Sequence, residues 1–285
     1  MAEIISGKLV AKEKREQMRQ EVEGLKKSGY PVPGLTVLLV GDNPASLSYV
    51  KGKVKACEEV GLRSDLKRYP STISEKELLD EIRKCNEDDS VDGILVQLPL
   101  PAHISEHMII DTIIPEKDVD GFHPINVGRL MTGEDTFYSC TPYGIIEMLK
   151  FMKIKIEGQH AVIVGRSNIV GKPAAQLLLR ENATVTICHS RSKNMSELTR
   201  QADILVVAAG KEGLIGADDI KEGAVVIDVG MNRNSAGKLV GDVRFDEVKE
   251  KASYITPVPG GVGPMTITML LANTIKAAKK RQGLS

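Results

Sequence analysis

The chain offers little to a membrane, a metal ion or a nucleic acid. No apolar run approaches the roughly 20 residues needed to cross a bilayer; the nearest, Met265 to Ala278, is interrupted by polar residues. The N-terminus, Met1-Ala2-Glu3-Ile4-Ile5-Ser6, lacks the basic start and apolar centre of a secretory signal, so a cytoplasmic location is expected. Lysine plus arginine and aspartate plus glutamate both number 38, and a net charge of zero leaves no footprint for nucleic acid or an anionic lipid surface. The four cysteines, Cys57, Cys85, Cys140 and Cys188, form no C-x-x-C pair and no metal-ligand spacing. They read as free thiols in a reducing compartment, with no metal bound. Internal repeats and low-complexity tracts are also missing. What is present is ordinary for a folded protein: 42% hydrophobic and 27% charged residues over 285 positions. That length allows two domains of about 150 residues each.

Apolar runs alternate with amphipathic segments almost from end to end, which predicts an α/β fold with parallel strands. Leu35–Val40, Arg63–Tyr69 and Gly93–Leu98 read as strands, and about Lys8–Lys27, Ala45–Val60 and Glu75–Asn86 as helices. The last of these opens on a capping box, Ser74-x-x-Glu77. From Asp118 to Tyr143 no period is sustained; a connection that long is usually functional or a linker. A helix over Pro142–Lys150 then leads to strands Ala161–Val164, Thr184–Cys188, Ile204–Ala208 and Ala224–Val229 in Rossmann-like order. Asn232–Leu239 reads as a hairpin, open to a role in dimerisation or to none. A final helix over Thr266–Lys280 packs back on the first domain. The expected division is residues 1–145, completed by 265–285, and residues 146–264.

The run Ala161-Val162-Ile163-Val164-Gly165-Arg166-Ser167-Asn168-Ile169-Val170-Gly171-Lys172-Pro173 is a buried strand, a glycine turn and a helix start. That order aims backbone N–H groups and a helix dipole at one point, where an anion is stabilised. Ser167 stands where G-x-G-x-x-G has its second glycine, so taken alone the turn also fits an ordinary βα connection. The next strand ends in His189-Ser190-Arg191-Ser192-Lys193. An acid there would select the ribose 2′-hydroxyl of NAD; cations and hydroxyls attract a 2′-phosphate instead, which favours NADP. The strand ends Val206–Gly210 and Ile227–Asn232 carry small residues that permit close backbone approach.

In the first half, Tyr49-Val50-Lys51-Gly52-Lys53 puts Tyr49 and Lys53 on one helix face. Gly93-Ile94-Leu95-Val96-Gln97-Leu98-Pro99-Leu100-Pro101 is a strand ending in an amide and prolines, and Lys117-Asp118-Val119-Asp120-Gly121-Phe122 sets two carboxylates two apart. The segment Pro257-Val258-Pro259-Gly260-Gly261-Val262-Gly263-Pro264-Met265-Thr266 is too rigid and glycine-rich for a plain connection. Together, in unbroken order over essentially the whole chain, these motifs resemble the methylenetetrahydrofolate dehydrogenase/methenyltetrahydrofolate cyclohydrolase family.

The resemblance implies an N-terminal α/β catalytic domain, a C-terminal Rossmann-like NADP-binding domain and a homodimer acting on tetrahydrofolate one-carbon derivatives. It assigns catalysis to Lys53, Gln97, Tyr49 and Asp120, with Asp120 on the pterin edge and Tyr49 against the folate rings. Substrate contacts fall on Tyr49, Lys53, Val96, Gln97, Leu98, Asp120 and the Pro259, Gly260, Gly261, Val262, Gly263 segment. NADP contacts fall on Gly165, Arg166, Ser167, Ser190, Arg191 and Met231. Asp118 reads as structural, capping its loop. The implied activities are oxidation of 5,10-methylenetetrahydrofolate and hydrolysis of the methenyl product to 10-formyltetrahydrofolate. The alternatives are a dehydrogenase lacking the hydrolytic step, an NADP enzyme of a small hydroxy acid, and a non-enzymatic NADP-binding protein.

Overall fold

The structure, a computed structural model, describes residues 1–284. Its strands are β1 (Glu3–Ile4), β2 (Gly34–Val40), β3 (Arg63–Tyr69), β4 (Gly93–Val96), β5 (His160–Val164), β6 (Thr184–Cys188), β7 (Ile204–Val207), β8 (Val225–Asp228), β9 (Asn232–Arg233), β10 (Leu239–Val240) and β11 (Tyr254–Ile255). The α-helices are α1 (Gly7–Lys27), α2 (Pro44–Val60), α3 (Glu75–Glu87), α4 (Glu106–Thr112), α5 (Pro124–Thr132), α6 (Cys140–Phe151), α7 (Gly171–Arg180), α8 (Met195–Thr199), α9 (Phe245–Val248) and α10 (Val262–Arg281). Two compact units result, one of Glu13–Cys140 with the chain from Ile267 onward, the other of Met1–Lys12 with Thr141–Thr266.

The first unit holds a three-stranded parallel sheet in the order β3-β2-β4. Central β2 is buried at every position, as an apolar run broken only by Thr36 requires, while edge strand β3 is charged and half exposed. Leu38, Val40, Ile94 and Val96 share one face and pack with Leu78, Leu79 and Ile82 of α3 and Ile109 of α4. The Ser74–Glu77 capping box on α3 forms as predicted. The irregular reading of Asp118–Tyr143 needs correction, because α5 lies inside it. His123 caps that helix through Nδ1, which accepts from Ile125 N–H at 3.1 Å, and Pro124 occupies its first turn. Its buried positions are Asn126 and Leu130; one being polar, no apolar period shows in the sequence.

The second unit holds a six-stranded parallel sheet in the order β1-β11-β8-β7-β5-β6. Strand order reverses at β5, whose neighbours are β6 on one side and β7 on the other. In such sheets ligands bind outside the carboxyl ends of the strands at that point. A cluster of Val162, Val164, Leu205, Val207, Val226 and Ile255 lines one sheet face. The predicted hairpin forms a separate two-stranded ribbon, with Leu239 opposite Arg233 and Val240 opposite Asn232.

Candidate active site

The Asn43 side chain accepts the N–H groups of Ala45 at 2.9 Å and Ser46 at 3.2 Å, and Pro44 fills the first turn, so α2 starts where Asp42-Asn43-Pro44 directs. Lys53 lies one turn beyond Tyr49 on that helix. Lys51 and Lys55 face solvent; Lys53 is half-buried and donates from Nζ to Gln97 Oε1 at 3.0 Å. Gln97 follows β4 directly, its backbone N–H donating to Leu38 O at 2.9 Å. Its Nε2 donates to Leu98 O at 2.7 Å, which turns the amide oxygen towards the lysine. Tyr49 is an exposed aromatic on α2, and Val96 is buried in the apolar face of the sheet.

Asp120 reaches the same strand end by a different route. Ile94 N–H donates to Lys117 O at 2.9 Å and Ile94 pairs in parallel with Asp118. The Lys117–Asp120 segment therefore runs beside β4 in the same direction. Asp118 fixes the turn that follows, as expected of a loop cap. Its carboxylate accepts from Phe122 N–H at 3.2 Å, His123 N–H at 2.8 Å and Asn126 Nδ2 at 2.8 Å. Gly121, at φ +72°, allows the close approach; a Cβ there would stand 2.5 Å from the Tyr138 carbonyl carbon. From α10, Asn273 Nδ2 holds Val119 O at 2.8 Å and Tyr138 O at 3.0 Å.

Burial pushes the Asp120 carboxyl up to about 6; Lys53 pulls it down, Asp118 raises it again, and a hydrogen bond with Cys140 lowers it. The Cys140 thiol is driven well above its ordinary range by burial and then by Asp120, so it is no nucleophile. The geometry thus brings together a lysine Nζ, an oriented amide and a carboxyl lifted to about 6.

In the second unit, Gly165 adopts φ +136° beside Ala208 O, where no side chain fits. Ser167 Oγ accepts from the N–H groups of Val170 at 3.1 Å and Gly171 at 3.2 Å, so a side chain engages the first amides of α7. Arg166, Ser190 and Arg191 are exposed, as is Met231 after β8. The loop after β6 is folded by its own contacts, His189 N–H to Ser192 Oγ at 2.9 Å and Arg191 N–H to His189 Nδ1 at 3.1 Å. Exposed cations with no carboxylate at the end of β6 suit a 2′-phosphorylated dinucleotide.

The glycine segment has a packing role of its own, whatever it does for a substrate. A Cβ on Gly7 would collide with Gly261 O, so the start of α1 demands glycine at 7, and one on Gly261 would stand 2.5 Å from Pro257 O, so the fold of the loop itself demands glycine at 261. Gly263 is different: nothing lies within 4 Å of a Cβ placed on it. Val262 and Gly263 also belong to α10, which begins four residues before the predicted start. Pro264 is admitted in that first turn because its missing N–H has no helical partner there. A cavity lined by Asn86, Asp92, Arg129 and Arg281 lies by the opposite end of β4 and holds none of the predicted site residues. Asn273 escaped sequence reasoning, although the polar breaks in the Met265–Ala278 run were its signal.

A two-domain α/β protein with a dinucleotide-type parallel sheet and a lysine–amide–carboxyl cluster defines the class. Residues 5–120 match the family model described as tetrahydrofolate dehydrogenase/cyclohydrolase, catalytic domain, and residues 139–282 match that of its NAD(P)-binding domain. The chain belongs to this family. The curated bifunctional protein FolD of Bacillus velezensis is 63% identical over 279 residues, covering 98% of each chain. The crystal structure of the bifunctional FolD dehydrogenase/cyclohydrolase of Campylobacter jejuni is similar at 53% identity and TM-score 0.96, over 99% of this chain and 100% of that one. That of Trypanosoma brucei FolD, complexed with NADP cofactor and inhibitor, is similar at 39% identity and TM-score 0.92, over 98% of both.

Proposed function

We propose that this chain oxidises 5,10-methylenetetrahydrofolate with NADP+ and hydrolyses the 5,10-methenyl product to 10-formyltetrahydrofolate, with Lys53 as the proton-handling residue of the second step. The dual activity follows from the family and from 63% identity to a bifunctional relative. A dehydrogenase without the hydrolytic step finds no support, since Lys53, Gln97 and Asp120 are all in place.

Bound NADP+ supplies the hydride acceptor. Gly165, Arg166, Ser167, Ser190, Arg191 and Met231 would hold it, the two arginines neutralising its phosphates. Asp120 would grip the adjacent N–H groups of the pterin edge with both carboxylate oxygens, and Tyr49 would lie against the rings. Val96, Leu98 and Pro259–Gly263 would complete the substrate contacts. In hydrolysis, water adds to the methenyl carbon with loss of one proton; the carbinol then collapses to the formyl group as its hydroxyl loses a proton and the departing ring nitrogen gains one. Lys53 Nζ, held by Gln97, takes a proton from the attacking water and hands one to the departing nitrogen, the other water proton leaving to solvent. In this reading residues 1–145 with 265–285 serve folate, apart from the first dozen residues, whose β1 joins the six-stranded sheet, and residues 146–264 serve NADP. The enzyme works in the cytoplasm, which suits four buried free thiols, and as a homodimer.

The 3.0 Å contact between Lys53 Nζ and Gln97 Oε1 carries the proposal. Replacing Lys53→Gln should lower methenyl hydrolysis by about 10²-fold or more, the ordinary size of a general acid–base contribution. Methenyl decay is followed spectroscopically with purified protein; hydrolysis at the original rate would remove Lys53 from the mechanism.

A further inference from the structure

The unit with the six-stranded sheet buries two carboxylates, Asp228 and Asp242, and neither has an ion-pair partner among the described residues. Asp228 ends β8, and Asp242 follows β10. Asp242 Oδ2 accepts from the N–H groups of Ala209 at 2.7 Å and Gly210 at 2.9 Å. Its Oδ1 accepts from Lys211 N–H at 2.8 Å and Asn232 Nδ2 at 2.8 Å. Four donors thus converge on two oxygens. Asp228 holds the other side of the same knot, with Oδ1 accepting from Gly230 N–H and Asp242 N–H, both at 2.9 Å, and Oδ2 from Val243 N–H at 3.0 Å. Gly230 and Gly241 leave the room: a Cβ on the first would collide with the Asp242 carboxylate, and one on the second with that of Asp228.

This arrangement is costly if its only purpose is stability. Burial pushes the Asp228 carboxyl up to about 6, with Asp242 adding to the rise, so near neutral pH the fold confines negative charge without a cation. What the charge achieves is geometric. Three consecutive N–H groups, Ala209 to Lys211, form a concave nest at the carboxyl end of β7, and the Asp242 side chain occupies it. Asn232 ties the same carboxylate to the segment after β8 that carries Met231. Ala208, one residue before the nest, is the group against which Gly165 is packed. One side chain therefore joins the turns after β7 and β8, and the first of these abuts the turn after β5, at the sheet edge where dinucleotides bind.

We infer that Asp242 is a positioning residue for NADP, locking the Ala208–Lys211 turn to the Met231–Asn232 segment so that the backbone the dinucleotide lies against is already set before it binds. The inference rests on the NADP reading proposed above. It concerns rigidity in the free protein and requires no contact between Asp242 and the cofactor.

Fluorescence titration with NADPH is the test. Asp242→Asn keeps the shape but turns an amide NH2 towards two N–H donors, so NADPH should bind about tenfold more weakly. The KM for NADP+ should rise by a similar factor while kcat at saturating NADP+ moves less than about threefold, a split that general destabilisation would not produce. Asp246→Asn, which alters an exposed carboxylate paired with Lys249, is the control and should match the unaltered chain. Should Asp242→Asn fail to fold, Asn232→Ala removes one of the four donors and should weaken NADPH by about threefold. A folded Asp242→Asn or Asn232→Ala protein with unmoved NADPH affinity would overturn the inference alone. Absence of NADPH binding to the unaltered chain would overturn the cofactor reading and this inference with it.

Discussion

In the proposed role, Asp120 is asked to do two things that conflict. A carboxylate is needed to hold two N–H groups of a pterin, yet burial makes that carboxylate expensive and lifts its pKa to about 6. Because the folded value lies above the ordinary 3.8, the group's stabilising contribution is complete in acid and is lost as pH rises through about 6. The rise from 3.8 to about 6 corresponds to at most ~3 kcal/mol. Asp120→Asn should therefore melt above the unaltered chain at pH 8, with the gap closing towards pH 4, while its KM for folate rises. In the unaltered chain the folate KM should climb as pH falls below about 6, and in the variant it should stay flat. Thermal melts and initial rates at the two ends of that range check both halves. A stability gap of equal size at both ends would show that Asp120 ionisation is not what the fold resists.

At the level of elements, the turn after β5 depends on a conformation only glycine supplies. Gly165 sits at φ +136° against Ala208 O, so Gly165→Ala combines backbone strain with a collision. NADPH affinity should fall at least about tenfold, and stability by about 1–3 kcal/mol, as read by titration and urea unfolding. Unchanged affinity would mean the turn is an ordinary connection. This turn was legible in the sequence because strand, glycine and helix follow one another within a dozen residues, and β2, β5 and β8 were legible because buried parallel strands are continuous apolar runs. The Lys53–Gln97 pairing was legible only through resemblance, since 44 residues separate the partners and no local pattern joins them. Other features were hidden for physical reasons. Helix α5 buries Asn126 where a period would need an apolar residue, and two-residue β1 exists only through its pairing with β11. Asp228 looks like an ordinary strand-end acid and Asp242 like an ordinary loop acid until the fold brings backbone amides around them.

At the scale of the whole molecule, the β9–β10 ribbon is the element least accounted for by one chain. It has two short strands and belongs to neither larger sheet. A two-stranded hairpin is marginal on its own in water, and each outer edge leaves backbone donors and acceptors unpaired. Its five-residue connection is nonetheless well formed. Asn234 N–H donates to Lys238 O at 3.0 Å, Gly237 N–H to Asn234 O at 2.8 Å, and the Asn234 Oδ1 accepts from Lys238 N–H at 2.9 Å. A ribbon this short and this ordered is suited to pairing edge to edge with a second copy, where a twofold axis lets each strand edge meet its own equivalent. Sedimentation of the unaltered chain should accordingly give twice the 31.0 kDa of one copy. Replacing Asn234–Lys238 by a two-residue Asn-Gly turn tightens the connection and removes its projecting tip, and should shift the mass towards a single copy at micromolar concentration. A shortened protein that stays dimeric would move the interface elsewhere on the surface. An unaltered chain that sediments at 31.0 kDa would remove the dimer itself, leaving the ribbon as a plain surface feature.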